Sequence, residues 1–395
     1  MADVILTNVR PWGAAPVDLV MSGAEIRSVL PAGTAPAVGD RLDGGGLLAL
    51  PGFINAHAHV DKSWWGQSWV SYGGEATTQG RISHERAERE ALGIPGADAT
   101  AAVLREFLRH GTTAVRSHVD VDLGVGLRGI EVVREAAAAL DGAVDVEIVA
   151  FPQDGVVRRP GVLDLLDRAA SAGATAIGGL DPASIDRDPV AQLDGLFGIA
   201  ERRGVGLDIH LHDRGELGAF QFELIIDRTL RTGLRGRVTV SHGFALGELP
   251  ADRQRRLVEE CAQAGVSWAT VAPVRTAPLP WQAMREHGVP VGLGTDGIRD
   301  LWSPYGDGDI LRVALGFARL HGLRTDEELA YAVELATTRA ADFVHRDTHD
   351  IAAGARADIV LLDAENVQDA LVRAPRRQLV VAGGRVVVRG GELLV

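Results

Sequence analysis

The chain has 395 residues, of which 46% are hydrophobic and 24% charged, which is enough for one large domain and a smaller one. Its formal net charge of −13 argues against nucleic-acid binding. No stretch approaches the roughly 20 apolar residues of a membrane span, and the opening segment lacks a signal-peptide pattern, so we expect a cytoplasmic protein. The single cysteine, Cys261, excludes an intramolecular disulfide and a cysteine-rich zinc site.

Short β-type runs separated by Pro and Gly turns occur near both ends of the chain. They cover residues 3–9, 17–21 and 25–30, and then 357–363 and 379–389. Gly383-Gly384 within the last run predicts a hairpin turn. We therefore expect residues 1–50 and 347–395 to form one small β-sandwich domain together.

The middle of the chain, residues 51–346, alternates strand-like and helix-like segments, which is typical of a parallel sheet with crossover helices. The predicted strands are 52–57, 113–119, 145–151, 174–178, 205–210, 237–242, 266–271 and 289–295, and the predicted helices include 99–109, 127–140, 189–203, 217–232 and 251–264. Eight β/α units over roughly 300 residues predict a (β/α)8 TIM barrel. The alternative, a doubly wound sheet, requires a glycine-rich loop after its first strand, where His57-Ala-His59 stands.

Side chains that can bind a metal ion, transfer a proton or bind a substrate follow the ends of several predicted barrel strands. His57 and His59 share one face of the first strand, because residues i and i+2 of a strand point the same way. The side chains that end later strands are His118, Gln153, His210, His212, Asp213, His242 and Asp296. In a (β/α)8 barrel these strand ends surround one mouth, where active sites lie.

Three imidazoles and one carboxylate form a ligand set that suits one divalent metal, Zn²⁺ or Fe²⁺, with a position left for water. We predict His57, His59, His210 and Asp296 as these ligands. Such a metal lowers the pKa of its water toward about 7. His242 would then orient the water or polarise the substrate, and Asp296 would also take the proton of the water.

Tryptophans follow the ligand motifs at both ends of the predicted barrel. Trp64 comes shortly after His59, and Trp302 comes six residues after Asp296. Their faces would stack on a planar heterocyclic substrate. We therefore predict both as substrate-binding residues, together with His212.

The chain resembles the amidohydrolase superfamily and, within it, the cytosine deaminase-like branch. The motifs that carry the resemblance are Pro51-Gly-Phe-Ile-Asn-Ala-His57-Ala-His59-Val-Asp61, Arg116-Ser-His118-Val-Asp120-Val, Ile148-Val-Ala-Phe-Pro-Gln153-Asp-Gly, Asp208-Ile-His210, Ser241-His242 and Gly294-Thr-Asp296. The resemblance implies a distorted (β/α)8 barrel with the metal ligands named above. It also implies that Gln153 binds the base, that His242 assists the attacking hydroxide, and that the protein is a homo-oligomer.

Two positions depart from the pattern of that branch. The proton-shuttle position, three residues after the strand-five histidine, is typically Glu but is Asp213 here, and Glu216 is a second candidate. In cytosine deaminase a second aspartate follows the metal-binding one, where this chain has Gly297. The binuclear branches bridge two metals with a carbamylated lysine on the fourth strand. The only lysine here, Lys62, follows the first strand, which favours one metal.

These observations predict a metal-dependent deaminase of an amino-substituted heterocycle such as cytosine, isocytosine, a triazine or a pterin. Hydroxide would attack the ring carbon, Asp213 or Glu216 would protonate the ring nitrogen, and ammonia would leave. The alternative is hydrolysis of a cyclic or linear amide or of an N-alkylamino group at the same site. A metal-binding barrel without catalysis is the remaining hypothesis. The other class of zinc deaminases holds its metal with two or three cysteines, and the single cysteine of this chain excludes that class.

Overall fold

The computed structural model describes residues 4–395. The strands that precede the barrel are β1 (Val4–Pro11), β2 (Val17–Ser22), β3 (Glu25–Pro31), β4 (Asp40–Asp43) and β5 (Leu48–Pro51). The barrel strands are β6 (Phe53–Ala58), β7 (Thr112–Asp120), β8 (Asp145–Phe151), β9 (Ala176–Leu180), β10 (Gly206–Leu211), β11 (Val238–His242), β12 (Val266–Thr270) and β13 (Val291–Leu293). The strands that follow the barrel are β14 (Ile359–Leu362), β15 (Arg377–Ala382), β16 (Arg385–Arg389) and β17 (Glu392–Leu393).

Helices cover the barrel and connect its strands. They are α1 (Thr78–Glu88), α2 (Ala97–Arg109), α3 (Arg128–Ala138), α4 (Val162–Ser171), α5 (Pro189–Arg203), α6 (Gly215–Thr232), α7 (Ala245–Glu248), α8 (Ala251–Ala264), α9 (Trp281–Glu286), α10 (Ile310–His321), α11 (Asp326–Glu334) and α12 (Val367–Arg373), with a 3₁₀ helix at Thr338–Val344. Within residues 4–395, none of these helices combines the length and the apolar character needed to cross a bilayer.

Local signals fix the ends of the most regular helices. Before α5, the Asp188 side chain accepts the N–H of Ala191, and Pro189 occupies the first turn. Gly204, in the left-handed conformation, ends the same helix. These signals are present in the sequence, and the predicted helices 189–203 and 251–264 agree with α5 and α8.

The barrel strands are parallel and pair in chain order from β6 to β13. The residues of β7, β9 and β10 are buried along their whole length, as expected for a parallel sheet covered by helices. The edge strands meet at a parallel bridge between Ala58 and Asp296, where the Asp296 N–H donates to the His57 carbonyl at 3.0 Å. The sheet therefore closes, and the predicted (β/α)8 barrel is confirmed.

Strands from both ends of the chain form a separate sheet. β5 joins its two parts, because it pairs in parallel with β1 and antiparallel with β14. Both parts contribute to one small core that includes Leu19, Ile26, Ile359 and Val381. The predicted Gly383-Gly384 hairpin connects β15 and β16. The predicted domain boundaries stay predictions, and residues 1–3, including the start of the predicted run 3–9, lie outside the described residues.

Candidate active site

The four predicted metal ligands converge at the C-terminal mouth of the barrel. His59 Nε2 lies 3.3 Å from His210 Nε2 and 3.4 Å from Asp296 Oδ1, and His57 Nε2 lies 3.6 Å from the same oxygen. In a tetrahedral site with metal–nitrogen bonds of about 2.0–2.1 Å, neighbouring ligand atoms lie about 3.4 Å apart. The ligand atoms of His57, His59 and Asp296 lie within 4.8 Å of one another, as one metal ion requires, and His210 adjoins this group through His59.

The charge and burial of these groups also fit a metal. His57 Nε2 is buried and has no hydrogen-bond partner within residues 4–395. Burial lowers the pKa of His59 and of His210 well below the usual range, which keeps both imidazoles neutral, as metal binding requires. The side chains of His57 and His59 are 0% and 8% exposed, whereas that of Asp296 is 41% exposed. The carboxylate side of the cluster is thus the side that water and substrate can reach.

The carboxylate of Asp296 is held in its charged form. Burial would raise the pKa of Asp296, but a hydrogen bond with His57 and the electrostatic effect of His242, His57 and His59 outweigh burial and hold the pKa well below the usual range. A carboxylate that stays charged at neutral pH can serve as a metal ligand and can accept a proton from water.

A buried serine and a buried aspartate orient His57. Ser241 Oγ donates to Asp208 Oδ1 at 2.6 Å and lies 2.9 Å from His57 Nδ1. Since the only hydroxyl proton goes to Asp208, Ser241 accepts the Nδ1 proton of His57, which leaves Nε2 with a lone pair for a metal. His118 Nε2 lies 3.6 Å from the other oxygen of Asp208. Ser241 and Asp208 belong to the sequence motifs, but the sequence analysis gave them no role. A signal for Asp208 was present, because residues 208 and 210 lie on the same face of their strand.

His242, at the end of β11, lies against the predicted ligands. Its ring centroid is 4.8 Å from that of His57 and 5.0 Å from that of His210. His242 and Asp296 have positive φ angles of 69° and 61°, which non-glycine residues rarely adopt outside sites where the surroundings enforce them. Trp268 Nε1 donates to the His242 carbonyl at 3.1 Å and helps to enforce this conformation.

The structure brings His212 to the same cluster. Its ring stacks on that of His242 with a centroid distance of 4.5 Å and an interplanar angle of 27°. Asp181 accepts the backbone N–H of His212 at 2.6 Å, and its other oxygen lies 2.9 Å from His212 Nδ1. Burial lowers the pKa of His212, but Asp181 outweighs burial, and the pKa lies above its usual value. The functional role of His212 stays a prediction.

The two candidate proton shuttles lie in different environments. The Glu216 side chain is 74% exposed and pairs with Arg253, because it stands in the first turn of α6 on the solvent side. The structure therefore does not bring Glu216 to the histidines. Asp213 Oδ2 accepts a hydrogen bond from Gln221 Nε2 at 2.9 Å, which holds Asp213 at the start of α6. The role of Asp213 as the proton shuttle stays a prediction.

The only lysine of the chain is buried beside the cluster. Lys62 Nζ lies 2.8 Å from Asp120 Oδ1 and 3.6 Å from Glu85 Oε1, and it donates to Gln153 Oε1 at 2.5 Å. Burial would lower the pKa of Lys62, but the carboxylates of Asp120 and Glu85 outweigh it and raise the pKa. Lys62 therefore carries a charge that fixes Gln153. The sequence contains a signal that singles out Lys62, because it is the only lysine in a chain whose other basic residues are arginines.

Aromatic side chains contact both the histidine cluster and Lys62. The Phe151 ring centroid lies 4.2 Å from that of His210, and Lys62 Nζ lies 5.3 Å from the Phe151 ring. Trp302 packs on the same apolar group, with its ring 5.8 Å from Lys62 Nζ. Trp64 is fully buried in the core. The structure thus places Trp302 near Lys62 and Phe151, and the role of Trp64 in substrate binding stays a prediction.

Comparisons with known proteins agree with this geometry. The amidohydrolase family matches residues 95–395 of the chain. The crystal structure of N-isopropylammelide isopropylaminohydrolase from Burkholderia multivorans is 41% identical, covers 100% of both chains and superimposes with a TM-score of 0.95. A pterin deaminase from Rhizobium rhizogenes is 29% identical, with 97% of this chain and 90% of the relative covered.

A further solved structure shows the same fold at lower identity. The crystal structure of 5-methylcytosine deaminase from Klebsiella pneumoniae is 23% identical, covers 98% of this chain and 97% of its own, and has a TM-score of 0.84. The resemblance to the amidohydrolase superfamily is therefore confirmed by the family match, and the fold is shared with 5-methylcytosine deaminase. The chain belongs to the amidohydrolase family and is a hydrolase of carbon–nitrogen bonds with a cluster of histidines and aspartates that could hold a metal ion.

Proposed function

We propose that the protein removes an exocyclic amine from a nitrogen heterocycle at one divalent metal held by His57, His59, His210 and Asp296. The close approach of His59 to His210 at 3.3 Å, and of His59 and His57 to Asp296 at 3.4 and 3.6 Å, carries this proposal. When bound, Zn²⁺ or Fe²⁺ supplies a water that is nucleophilic at neutral pH, because the metal lowers the pKa of that water toward about 7.

The residues of the chain bind the ring and move the protons. Asp296 accepts a proton from the attacking water through its exposed carboxylate. His242, 4.8 Å from His57 between ring centroids, orients the water and polarises the ring carbon. The water oxygen bonds to that carbon, the exocyclic carbon–nitrogen bond breaks, and the nitrogen leaves with one proton of the water. His212, stacked on His242, lies where it can assist this transfer.

Two leaving groups suit this chemistry, an alkylamine and ammonia. The relative that is 41% identical over the whole chain is named an isopropylaminohydrolase, which supports an alkylamine. The pterin deaminase, at 29% identity, supports ammonia. We therefore place N-alkylamine release first and deamination second, which reverses the order predicted from the sequence.

Amine release from a substrate panel tests the proposal. Purified, metal-replete protein would be given N-isopropylammelide, other N-alkylamino-triazines, aminopyrimidines and pterins, with isopropylamine and ammonia measured separately. We expect turnover of an alkylamino ring that disappears in Asp296→Asn and persists in Glu216→Gln. Ammonia release alone would establish the second candidate. If no compound of the panel released an amine although one metal ion is bound per chain, the proposal of amine removal would be overturned in favour of amide hydrolysis.

A further inference from the structure

A layer of buried polar side chains lies inside the barrel, below the histidine cluster. Its members stand two residues before His118, His210 and Ser241 on strands β7, β10 and β11, and they are Arg116, Asp208 and Thr239. Residues i and i+2 of a strand share a face, so this layer points into the barrel as the cluster does. Branched apolar side chains normally fill such a layer. The polar layer is therefore an exception to the usual barrel core.

Arg116 and Asp208 form an ion pair across this layer. Arg116 Nη1 lies 3.5 Å from Asp208 Oδ2, and the two side chains are 6% and 0% exposed. His118 Nε2 lies 3.6 Å from the same oxygen. Of these two basic groups, the guanidinium alone is permanently charged. Arg116 thus supplies the charge that balances a fully buried carboxylate, which is costly to bury without a cation.

Contacts from two sides fix the guanidinium group of Arg116. Its Nη1 donates to Thr239 Oγ1 at 3.1 Å, so the nitrogen that faces Asp208 is also the one held by this hydrogen bond. The ring of Phe343, in the 3₁₀ helix Thr338–Val344, lies 6.0 Å from the guanidinium carbon. The position of the charge is therefore set by the surrounding elements.

Asp208 connects Arg116 to a predicted metal ligand. Its Oδ1 accepts the hydroxyl proton of Ser241 at 2.6 Å, and Ser241 Oγ lies 2.9 Å from His57 Nδ1. Arg116, Asp208, Ser241 and His57 thus form one network in which no contact exceeds 3.5 Å. The network ends on the imidazole whose Nε2 faces Asp296.

The other end of the network opens at the base of the barrel. A cavity of about 610 Å³ lies there, and its lining includes Arg116, Thr239, Ser267 and Arg237. The starts of β9, β10 and β11 also border this cavity. Arg116 therefore lies on the side of the cluster that is opposite to the mouth, where it influences the cluster only through other side chains.

We propose that Arg116 is a positioning residue for the metal site. It holds the Asp208 carboxylate from below, and through Asp208 and Ser241 it fixes the His57 ring with Nε2 directed at the metal. This inference rests on the proposed function, because it takes His57 as a metal ligand. The geometry of the site at the mouth is then set in part by a charge on the floor of the barrel.

A double-mutant cycle in Zn²⁺ affinity tests the network, because residues that act through one another have non-additive effects. Competition with a chromogenic chelator measures the affinity. Arg116→Met should weaken Zn²⁺ binding at least about 10-fold, as other supporting groups of metal ligands do. In the Ser241→Ala background the same substitution should cause almost no further loss, because the network is already broken. Equal losses in both backgrounds would overturn the inference.

Thr239→Val is a second variant that answers the same question if Arg116→Met does not fold. It removes the hydrogen bond to Arg116 Nη1 and keeps the shape of the side chain. We expect a smaller loss of Zn²⁺ affinity that also disappears in the Ser241→Ala background. Wild-type affinity in every variant that folds would overturn the inference.

A matched control comes from the same cavity. Arg237 is exposed and donates to the Gly204 carbonyl, so Arg237→Met should bind Zn²⁺ like the wild-type protein. A loss in Arg237→Met equal to that in Arg116→Met would show a general effect of the cavity and would overturn the specific role of Arg116.

Zn²⁺ affinity also separates this inference from the proposed function. If the cycle is non-additive but no ring releases an amine, the network stands and the proposal of amine removal is overturned. If amine is released but the losses are additive, only the network is overturned. Wild-type protein that does not bind Zn²⁺ would overturn the ligand assignment on which both depend.

Discussion

Ser241 accepts the Nδ1 proton of His57 at 2.9 Å and thereby presents the opposite nitrogen of that imidazole to Asp296. Ser241→Ala should weaken metal affinity about 10- to 100-fold, the usual effect of removing such a supporting hydrogen bond. Competition with a chromogenic chelator measures the affinity. The control is Ser267→Ala on the adjacent strand β12, which should bind metal like the wild-type protein. Equal affinity of the two variants would contradict the role of Ser241.

Asp296→Asn should remove both bound metal and activity. The variant keeps the size of the side chain but loses the negative charge that the three imidazoles surround. We expect metal content well below one ion per chain and turnover reduced at least about 1000-fold. Metal analysis after gel filtration and the amine-release assay check these outcomes. Full activity at full metal content would contradict the ligand assignment.

Lys62→Met should destabilise the protein strongly. The substitution leaves the buried carboxylates of Asp120 and Glu85 without their cation, a change that costs about 3–5 kcal/mol. Urea unfolding measures the free energy of unfolding. The surface variant Arg231→Met, which breaks an exposed pair with Asp227, should change it by less than about 1 kcal/mol. The double variant Lys62→Met with Asp120→Asn should recover part of the loss.

Asp300→Asn should stabilise the protein increasingly as the pH rises. Burial is the main cause that raises the pKa of Asp300 from 3.8 to about 7. Between these values the unfolded chain has lost the proton that the folded protein keeps, so the wild-type loses stability with rising pH, by up to about 4 kcal/mol at about 1.36 kcal/mol per pH unit. Asparagine does not titrate.

The comparison is best made on metal-free protein, because a cation near Asp296 would lower the pKa of Asp300. The gap in free energy of unfolding between variant and wild-type should grow from pH 4 to about pH 7 and then stay constant. A gap that does not change with pH would show that Asp300 titrates normally.

Glu216→Gln should leave activity within about two-fold of wild-type and stability within about 0.5 kcal/mol, as for other exposed surface positions. Its side chain pairs with Arg253 on the surface of α6, away from the histidines. Asp213→Asn, at the start of the same helix, is the informative partner variant. A loss of turnover in Glu216→Gln that matches the loss in Asp213→Asn would restore Glu216 as a shuttle.

The barrel and the metal ligands were accessible from the sequence because both depend on short-range patterns. Alternating strands and helices predict the barrel, and the i, i+2 spacing of His57 and His59 puts two imidazoles on one face. The surroundings of the site were not accessible in this way. Whether Trp64 is buried, or Asp300 reaches Gly297, depends on how two loops pack together, and no local pattern records that contact.

The burial of Lys62 also has a consequence for labelling chemistry. Lys62 is the single lysine of the chain and is 3% exposed, so the surface of residues 4–395 presents no lysine amine to acylating dyes or cross-linkers. Acylation of Lys62 requires the wall of the pocket to open, because its amine is enclosed by Asp120, Glu85 and Gln153. The rate at which a small amine-reactive reagent modifies Lys62 therefore measures how often the active site opens locally.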